Sequence, residues 1–183
     1  MITFSKPYAD TVARLRVPAG FLIVLAFAIF SRPDAASMAW GMPVSLAGLA
    51  LRAWAAGCLR KDSRLATYGP YAYLRNPLYV GTLLVAAGLV IASRSLGLGV
   101  LFTAVFLLIY LPAIQLEEQH LRDLFPEFPN YAAHVRALLP RLTPWQKESS
   151  QPFSWEQYGK NREYQAALGF AAGAALLAWK TYG

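Results

Sequence analysis

The sequence predicts an all-α integral membrane bundle of about five transmembrane helices. Apolar residues make up 56% of the 183 residues, and the mean hydropathy is positive at +0.35. Both values exceed what the core of a small soluble domain requires. The apolar residues also fall into runs of nearly the length needed to span a membrane. A helix of about 20 residues crosses a hydrocarbon core about 30 Å thick. These runs are 17–31, 36–59, 77–93, 96–116 and 164–179.

Prolines mark both limits of the first run, and the second run contains a charge. Pro18 is expected in the first turn of the helix over residues 17–31, because its fixed φ suits that position. Pro33 follows the end of that run. The second run, residues 36–59, contains one charged residue, Arg52. We therefore expect two helices joined by a short connection.

The remaining runs have different signatures. Residues 77–93 start at Pro77, and residues 96–116 form the most continuous run, interrupted only by Pro112. The run over residues 164–179 is short and rich in Ala and Gly, a composition that suits packing within the bundle or in a homodimer. The first and last runs are shorter than a usual span, so a buried soluble helix is the alternative for each.

The distribution of Lys and Arg predicts the orientation of the bundle. With five spans, the N-terminus, residues 60–76 and residues 117–163 share one side of the membrane. The basic residues on that side are Lys6, Arg14, Arg16, Arg60, Lys61, Arg64, Arg75, Arg122, Arg136, Arg141, Lys147, Lys160 and Arg162. Those on the opposite side are Arg32, Arg94 and Lys180. This asymmetry predicts that the first side is cytoplasmic.

The same distribution explains the net charge of +7 without a nucleic-acid partner, because the basic residues flank membrane helices. The N-terminal stretch carries a proline and an acidic residue and shows no small-residue cleavage site, so we expect no removable signal peptide. The single cysteine, Cys58, excludes an intrachain disulfide and a thiolate metal cluster. We expect no metal site.

We predict one membrane domain over residues 1–183. Residues 1–59 form an N-terminal helix pair, and residues 60–142 carry the functional motifs. Residues 143–183 combine an aromatic, charged segment with the last helix. That segment is expected to lie on the membrane surface, with a lid or a plain linker as alternatives.

The polar sequence GPYAYLRNPLYVG, residues 69–81, separates two apolar runs and is the main candidate site. Charged side chains on irregular backbone at a bilayer surface indicate a functional site, because both are costly there. Gly69 and Pro70 predict a turn, and Pro77 starts the next helix with Asn76 outside it. An anion at this helix start would meet free N–H groups, the positive end of the helix dipole and the guanidinium of Arg75.

Aromatic side chains accompany this motif. Tyr71 and Tyr79 can cover a flat heterocycle or face a cation, although tyrosines at a membrane interface also form aromatic belts. The sequence leaves both interpretations open.

The acidic pair Glu117 and Glu118 is expected to end the fourth helix, where the helix dipole disfavours negative charge. This local conflict indicates function, with a solvated pair or an ion pair to Arg64 or Arg122 as the alternative. A short turn over 93–97 should fold the third and fourth helices as a hairpin and bring the pair beside the 69–81 motif. The carboxylates could then accept bonds from hydroxyls or an ammonium, act as a base, or balance a cation.

The sequence resembles the isoprenylcysteine carboxyl methyltransferase family and its relatives among phospholipid methyltransferases. The resemblance is carried by the strings LATYGPYAYLRNPLYVG and EEQHLRDLF, followed by Tyr131, Val135 and LLPRL. The resemblance covers roughly residues 49–142. It implies an integral membrane enzyme that binds S-adenosylmethionine at the cytoplasmic face and takes a lipophilic acceptor. In a bacterium that membrane would be the inner or plasma membrane.

The resemblance also implies roles for individual residues. Arg75, Glu117 and Tyr79 are the predicted catalytic residues, with Arg75 facing the carboxylate of the cofactor or acceptor and the glutamates facing the ribose or amino end. The predicted cofactor-binding residues are Gly69, Pro70, Tyr71, Arg75, Asn76, Pro77, Tyr79, Glu117, Glu118 and His120. The acceptor implied by the resemblance is a prenylated thioether acid, a phospholipid amine or a smaller hydrophobic thiol or amine.

Departures from the family pattern leave the acceptor open. Asn76 replaces the histidine of the isoprenylcysteine branch, Pro126 replaces a glycine, and one of two spaced tyrosines is missing. His120 is either a substitute acid or base or a surface histidine.

The sequence also leaves two other functions open. One is a reductase of the sterol-reductase type that uses NADPH, and the other is a non-catalytic membrane scaffold.

Overall fold

The computed structural model describes residues 6–145 and 152–183, in which the regular secondary structure is helical and contains no strand. The helices are α1 (Lys6–Phe30), α2 (Ala35–Cys58), α3 (Pro77–Ser93), α4 (Leu96–Val105), α5 (Leu111–Leu124), α6 (Phe128–His134), α7 (Trp155–Lys160) and α8 (Tyr164–Tyr182). The predicted all-α class is confirmed. The predicted interfacial segment is described only in part, because residues 146–151 lie outside these ranges.

One helix of the described residues is long and apolar enough to cross a membrane. It is the continuous rod Leu96–Leu124, whose 29 residues contain a window of mean hydropathy 2.3. Two further apolar helical stretches, Pro18–Phe30 and Pro77–Ser93, are shorter than this length.

A π-helical turn, Phe106–Tyr110, joins α4 to α5 within this rod. The Leu111 N–H donates to the carbonyl of Phe106, five residues earlier. Pro112 follows at once and cannot donate to the carbonyl four residues before it, so the wider turn accommodates a proline that would otherwise interrupt the helix.

Two predicted helix limits were wrong. α1 begins at Lys6, so Pro18 lies inside this helix rather than in its first turn. The helix that contains residues 96–116 continues to Leu124, so Glu117 and Glu118 do not end it. In both cases the flanking segment is rich in Ala, Leu, Arg, Glu or Gln, which favour helix whatever their hydropathy.

Other limits agree closely with the sequence. α2 occupies nearly the predicted range, and α3 begins at Pro77 and ends at Ser93 as predicted. Arg94 then adopts a left-handed conformation, with φ of 52°, and Ser95 caps α4 by accepting from the Leu98 N–H. The predicted short turn between the third and fourth runs is confirmed. α8 extends three residues past its predicted end.

Helices α2 and α3 approach so closely that small residues are required where they meet. A Cβ built at Gly48 would lie 2.6 Å from the Gly81 carbonyl oxygen, and one at Gly88 would lie 2.4 Å from the Gly41 carbonyl oxygen. The Ser45 hydroxyl donates across the contact to the Val85 carbonyl at 2.9 Å. Glycine and serine thus allow backbone contact between two apolar helices, the packing expected within membranes.

A charged cluster ties α8 to this helix pair. Arg52 forms a two-pronged ion pair with Glu163, with Nε to Oε1 at 2.6 Å and Nη2 to Oε2 at 3.0 Å. Its Nη1 donates to the Leu78 carbonyl at 3.2 Å and to the Thr82 hydroxyl. The charge inside the second apolar run is therefore neutralised by the residue that precedes α8.

The helix termini are tied together at both ends of the bundle. At one end, the Lys180 ammonium donates to the Ser31 carbonyl at 2.9 Å, and Arg94 pairs with Asp34. At the other, the Asn161 amide donates to the Ala56 carbonyl at 2.8 Å, at the C-terminal end of α2. The three basic residues predicted for one side, Arg32, Arg94 and Lys180, belong to the first of these ends.

Gly88→Ala should destabilise the protein by about 2 to 3 kcal/mol, because the methyl group would overlap Ser45 Oγ and the Gly41 carbonyl in a contact that cannot open without separating α2 from α3. The measurement is thermal unfolding in detergent.

The matched control is Gly169→Ala on α8, where a built Cβ meets no heavy atom within 4 Å. Alanine there should leave the melting temperature unchanged or raise it. Equal effects of the two substitutions would contradict the close-contact argument.

Candidate functional site

The described residues enclose a cavity of about 890 Å³ between the helices and the connecting segments at one end of the bundle. Its polar end is lined by the side chains of the 69–81 motif and α5, together with the loop after α2. Its apolar arm is lined by α1, α2, α3 and α8. We use the name apolar arm for the lining residues that these helices contribute, which are apolar except for Arg52 and Thr82: Gly20, Phe21, Val24, Leu49, Arg52, Leu78, Thr82, Val85 and Ala166.

A short 3₁₀ turn, Gly69–Ala72, aims Tyr71 into the polar end. Gly69 has a φ of +57°, which glycine adopts without strain, and a Cβ there would lie 2.8 Å from Cys58 Sγ. Gly69 and Pro70 are absent from the lining formed by the described residues. The two residues shape the turn behind the cavity wall.

Glu118 lies at the centre of the polar end and meets both residues that precede α3. The Asn76 amide donates to Oε1 at 2.9 Å, and Arg75 Nε lies 3.3 Å from the same oxygen. All three side chains are largely shielded from solvent, with Arg75 at 11% and Glu118 at 9% exposure. The predicted meeting of the motif with the acidic pair is confirmed, and Arg75, rather than Arg64 or Arg122, is the ion partner.

Backbone hydrogen bonds hold the motif against the chain that follows α6. The N–H groups of Arg75 and Asn76 donate to the carbonyls of Arg136 and Ala137 at 3.0 and 3.2 Å. In the reverse direction, the Arg141 N–H donates to the Tyr73 carbonyl at 2.9 Å. The irregular backbone on both sides thus satisfies its polar groups by pairing.

Tyr71 and Arg75 each carry a buried polar atom without a hydrogen-bond partner, the Tyr71 hydroxyl and Arg75 Nε. The 3.3 Å approach of Arg75 Nε to Glu118 is an ion-pair distance without a hydrogen bond. Buried polar atoms normally find partners, and both residues line the cavity. A ligand with an acceptor atom would satisfy the Tyr71 hydroxyl.

Burial raises the pKa of Tyr71 well above its usual value, and the nearby Glu117 charge raises it further. Burial likewise raises the pKa of Tyr131, whose hydroxyl donates to the Tyr71 carbonyl at 2.8 Å. Both phenols are therefore neutral near pH 7, so the Tyr71 hydroxyl keeps a proton that it can donate to a ligand.

Tyr79 and Glu117 form a second polar contact on the outer side of the same site. The Tyr79 hydroxyl donates to Glu117 Oε2 at 3.0 Å, and its ring meets Tyr110 edge to face at 6.3 Å. Glu117 is exposed, in contrast to Glu118. Adjacent carboxylates on one helix thus differ in environment, and Glu117 retains acceptor capacity toward a ligand.

His120 lies at the rim of the cavity, with its Nε2 3.4 Å from Oδ1 of Asp62, and both side chains are exposed. This position agrees with the surface-histidine interpretation.

The predicted cofactor residues that line the cavity are Tyr71, Arg75, Asn76, Pro77, Tyr79, Glu117, Glu118 and His120. Their role in binding stays a prediction. Sequence reasoning missed Arg52 as part of the lining, because its partner Glu163 lies 111 residues away. An arginine within an apolar run was the signal that could have identified it.

Comparison with known proteins gives a match to one family model. Residues 44–127 match the family model of phospholipid methyltransferases. The match confirms the predicted resemblance to phospholipid methyltransferases, and it extends over most of α2, the 69–81 motif and the whole of α3 to α5. The methyltransferase match therefore contains Arg75, Asn76, Glu117 and Glu118, whereas α1, α7 and α8 lie outside it.

Two curated relatives carry names that refer to metal resistance. The cobalt-zinc-cadmium resistance protein CzcN of Cupriavidus metallidurans is 37% identical over 102 residues, covering 56% of this chain and 47% of that protein. The nickel-cobalt-cadmium resistance protein NccN of Alcaligenes xylosoxydans xylosoxydans is 37% identical over 91 residues, covering 50% and 43%. The chain thus spans about half the length of the curated relatives it matches. No solved structure matches it.

Tyr131→Phe should lower the stability of the protein by about 1 kcal/mol, because it removes the donor to the buried Tyr71 carbonyl. Thermal unfolding in detergent measures the change. Tyr182→Phe, at an exposed position at the end of α8, is the control and should leave the melting temperature unchanged. Equal stability of wild type and Tyr131→Phe would contradict a structural role for this bond.

Proposed function

We propose that the protein is an integral membrane methyltransferase that uses S-adenosylmethionine and methylates a lipophilic acceptor. The observation that carries this proposal is the polar end of the cavity, where Tyr71 and Arg75 lie within the methyltransferase match and the Tyr71 hydroxyl is buried without a hydrogen-bond partner. The Tyr71 hydroxyl can donate to a ligand carboxylate, and the neighbouring Arg75 guanidinium adds positive charge that favours such a group.

The other polar groups fit the remaining parts of this cofactor. Glu117, exposed at the cavity, is placed to accept from ribose hydroxyls or from the ammonium group. The rings of Tyr79 and Tyr110 offer faces to a flat heterocycle or a sulfonium cation. Glu118 is already engaged by Asn76 and Arg75, so its role is to orient the arginine.

When bound, S-adenosylmethionine supplies an electrophilic methyl group, which passes to a nucleophile of the acceptor by in-line displacement. The residues here have to align the two reactants and exclude water. The buried pairing of Arg75, Asn76 and Glu118 provides a fixed floor for that alignment. The neutral phenol of Tyr71 donates a hydrogen bond without adding charge.

The apolar arm of the cavity supports a lipophilic acceptor. This arm is lined largely by apolar side chains such as Phe21, Leu49 and Val85, and it joins the polar end that contains Arg75. An amphiphile with a polar reactive group and an apolar tail fits this arrangement. The acceptor classes inferred from the resemblance, a prenylated thioether acid, a phospholipid amine or a smaller hydrophobic thiol or amine, all have this form.

We also propose a multi-pass topology in which α1, α2, α3, the Leu96–Leu124 rod and α8 cross the membrane and the site faces the cytoplasm. Support comes from the apolar side chains exposed on the outer surfaces of α1, α4 and α8, and from the basic residues around the site. A single domain over residues 1–183, contacts with membrane lipids and a homodimer through α8 belong to the same proposal.

The central test is a titration of detergent-solubilised protein with S-adenosylmethionine, its demethylated product and NADPH. The first two should bind and NADPH should not. Binding of NADPH alone would favour a reductase, and a folded protein that binds none of the three would favour a scaffold. Either result would refute the proposal.

Arg75→Ala and Glu117→Ala should each abolish measurable binding of S-adenosylmethionine, because each removes a charged group that faces the ligand. Arg122→Ala and Glu127→Ala are matched controls, since both residues are exposed and lie outside the cavity lining. Both controls should bind as wild type does. Unchanged affinity in both site variants would remove the assignment of this cavity.

Tyr71→Phe should separate binding from stability. Its hydroxyl has no partner within the protein, so its removal should leave the melting temperature unchanged or raise it. Affinity for S-adenosylmethionine should fall about tenfold, the equivalent of one hydrogen bond. Calorimetric titration and thermal unfolding measure the two effects, and loss of stability without loss of affinity would be the contrary result.

A further inference from the structure

A second, smaller cavity of about 370 Å³ lies between the loop after α2 and the short helix α7. Arg60 and Lys61 line both this cavity and the main one. α7 lies outside the methyltransferase match. Within the described part of the chain, the lining of the second cavity combines three basic residues with three neutral polar ones and includes no carboxylate: Arg60, Lys61, Ser63, Gln157, Lys160 and Asn161.

Contacts before and after α7 hold this helix against the end of α2. The Phe153 ring occupies the space beside Gly57, where a built Cβ would lie 2.2 Å from the ring, and the Ser154 N–H donates to the Gly57 carbonyl at 3.1 Å. After α7, the Asn161 amide donates to the Leu59 carbonyl at 2.9 Å. The side chains of α7 that line the cavity are therefore held opposite the loop that supplies the other two basic residues.

Several donors in this cavity have no partner within the described ranges. No carboxylate of those residues lies within ion-pair distance of the Arg60 or Lys61 side chain, and the amide of the half-buried Gln157 forms no hydrogen bond with them. Lys160 pairs with Glu156, Nζ to Oε1 at 2.6 Å, but an ammonium carries three donors. The cavity thus offers guanidinium, ammonium and amide donors from two separate segments.

The two acidic residues close to this cavity leave its positive charge in excess. Asp62 belongs to the same loop but lines the main cavity, where its Oδ1 lies 3.4 Å from His120 Nε2. Glu156 adjoins the second cavity without lining it. Its pKa is lowered, chiefly by the hydrogen bond from Lys160 and also by the charge of Arg60, so it offsets one of the three basic charges at neutral pH.

From these observations we infer that the second cavity binds a phosphate group, carried by an anionic lipid headgroup or present as a soluble phosphate. Cations that surround one space from two segments suit an anion with acceptor oxygens in several directions, which phosphate has and a planar carboxylate lacks. Trp155 on α7 is 75% exposed and meets Phe153 edge to face at 4.8 Å, a setting typical of the headgroup layer of a membrane. The site goes beyond the proposed methyltransferase and does not depend on it.

The test is calorimetric titration of the full chain in a phosphate-free, non-ionic detergent. The three probes are inorganic phosphate, glycerol 3-phosphate and dihexanoyl-phosphatidylglycerol, each corrected for titration into detergent alone. Gln157→Glu places a carboxylate in the cavity, and Glu156→Gln frees the Lys160 ammonium. The matched control is Gln165→Glu, which makes the same change in charge at an exposed position of α8 outside both cavity linings.

Wild type and Gln165→Glu should bind with equal affinity, whereas affinity should fall at least tenfold in Gln157→Glu and rise about threefold in Glu156→Gln. Binding of the phosphatidylglycerol alone would assign the site to a lipid headgroup, and binding of either soluble probe would assign it to a soluble phosphate. A wild type that binds none of the three, or equal affinities in Gln157→Glu and Gln165→Glu, would overturn the inference. S-adenosylmethionine takes no part in these titrations, so their outcome is separate from that of the proposed function.

Discussion

The close contact between α2 and α3 is the constraint on which the remaining structure depends. Because Gly41, Gly48, Gly81 and Gly88 lack side chains, the two backbones approach within the space that a Cβ would occupy. Apolar helices in a membrane gain little from burying Leu against Leu, so such contacts must be stabilised by packing and by hydrogen bonds such as the one from Ser45. The start of α3 is thereby fixed relative to α2.

The relative positions of the side chains in the candidate site depend on that placement. The fixed start of α3 sets the positions of Arg75 and Asn76, which meet Glu118 from the long Leu96–Leu124 rod. The segment after α6 then satisfies the backbone N–H groups of the same two residues. The polar loop between α2 and α3 is thus held by hydrogen bonds to its own backbone, and the Tyr71 hydroxyl within it has no partner.

The sequence predicted those parts of the molecule that depend on neighbouring residues in the chain. Pro77 and the Arg94 turn set the limits of α3, and the charge asymmetry separated the two ends of the bundle. It did not predict that α5 continues past Glu117, because hydropathy reports the solvent around a segment, whereas helix formation in EEQHLRDL depends on propensity. Gly81, part of the quoted motif, contacts α2 at Gly48, an approach that the sequence did not predict. The pairing of Arg52 with Glu163 could not be foreseen, since it joins residues 111 positions apart.

The π-helical turn Phe106–Tyr110 has a consequence for how this chain tolerates insertions and deletions. Each residue added to or removed from an α-helix rotates everything beyond it by about 100°. α4 mainly presents apolar side chains outward, whereas α5 must direct Glu118 toward Asn76, and the wider turn sets the angle between these two faces. Loss of a single residue in this turn would leave the composition and apolar length of the rod nearly unchanged, yet it would rotate the carboxylate out of the cavity. The turn therefore sets the rotational register between α4 and α5, and a change in its length would disturb the site without altering any of its side chains.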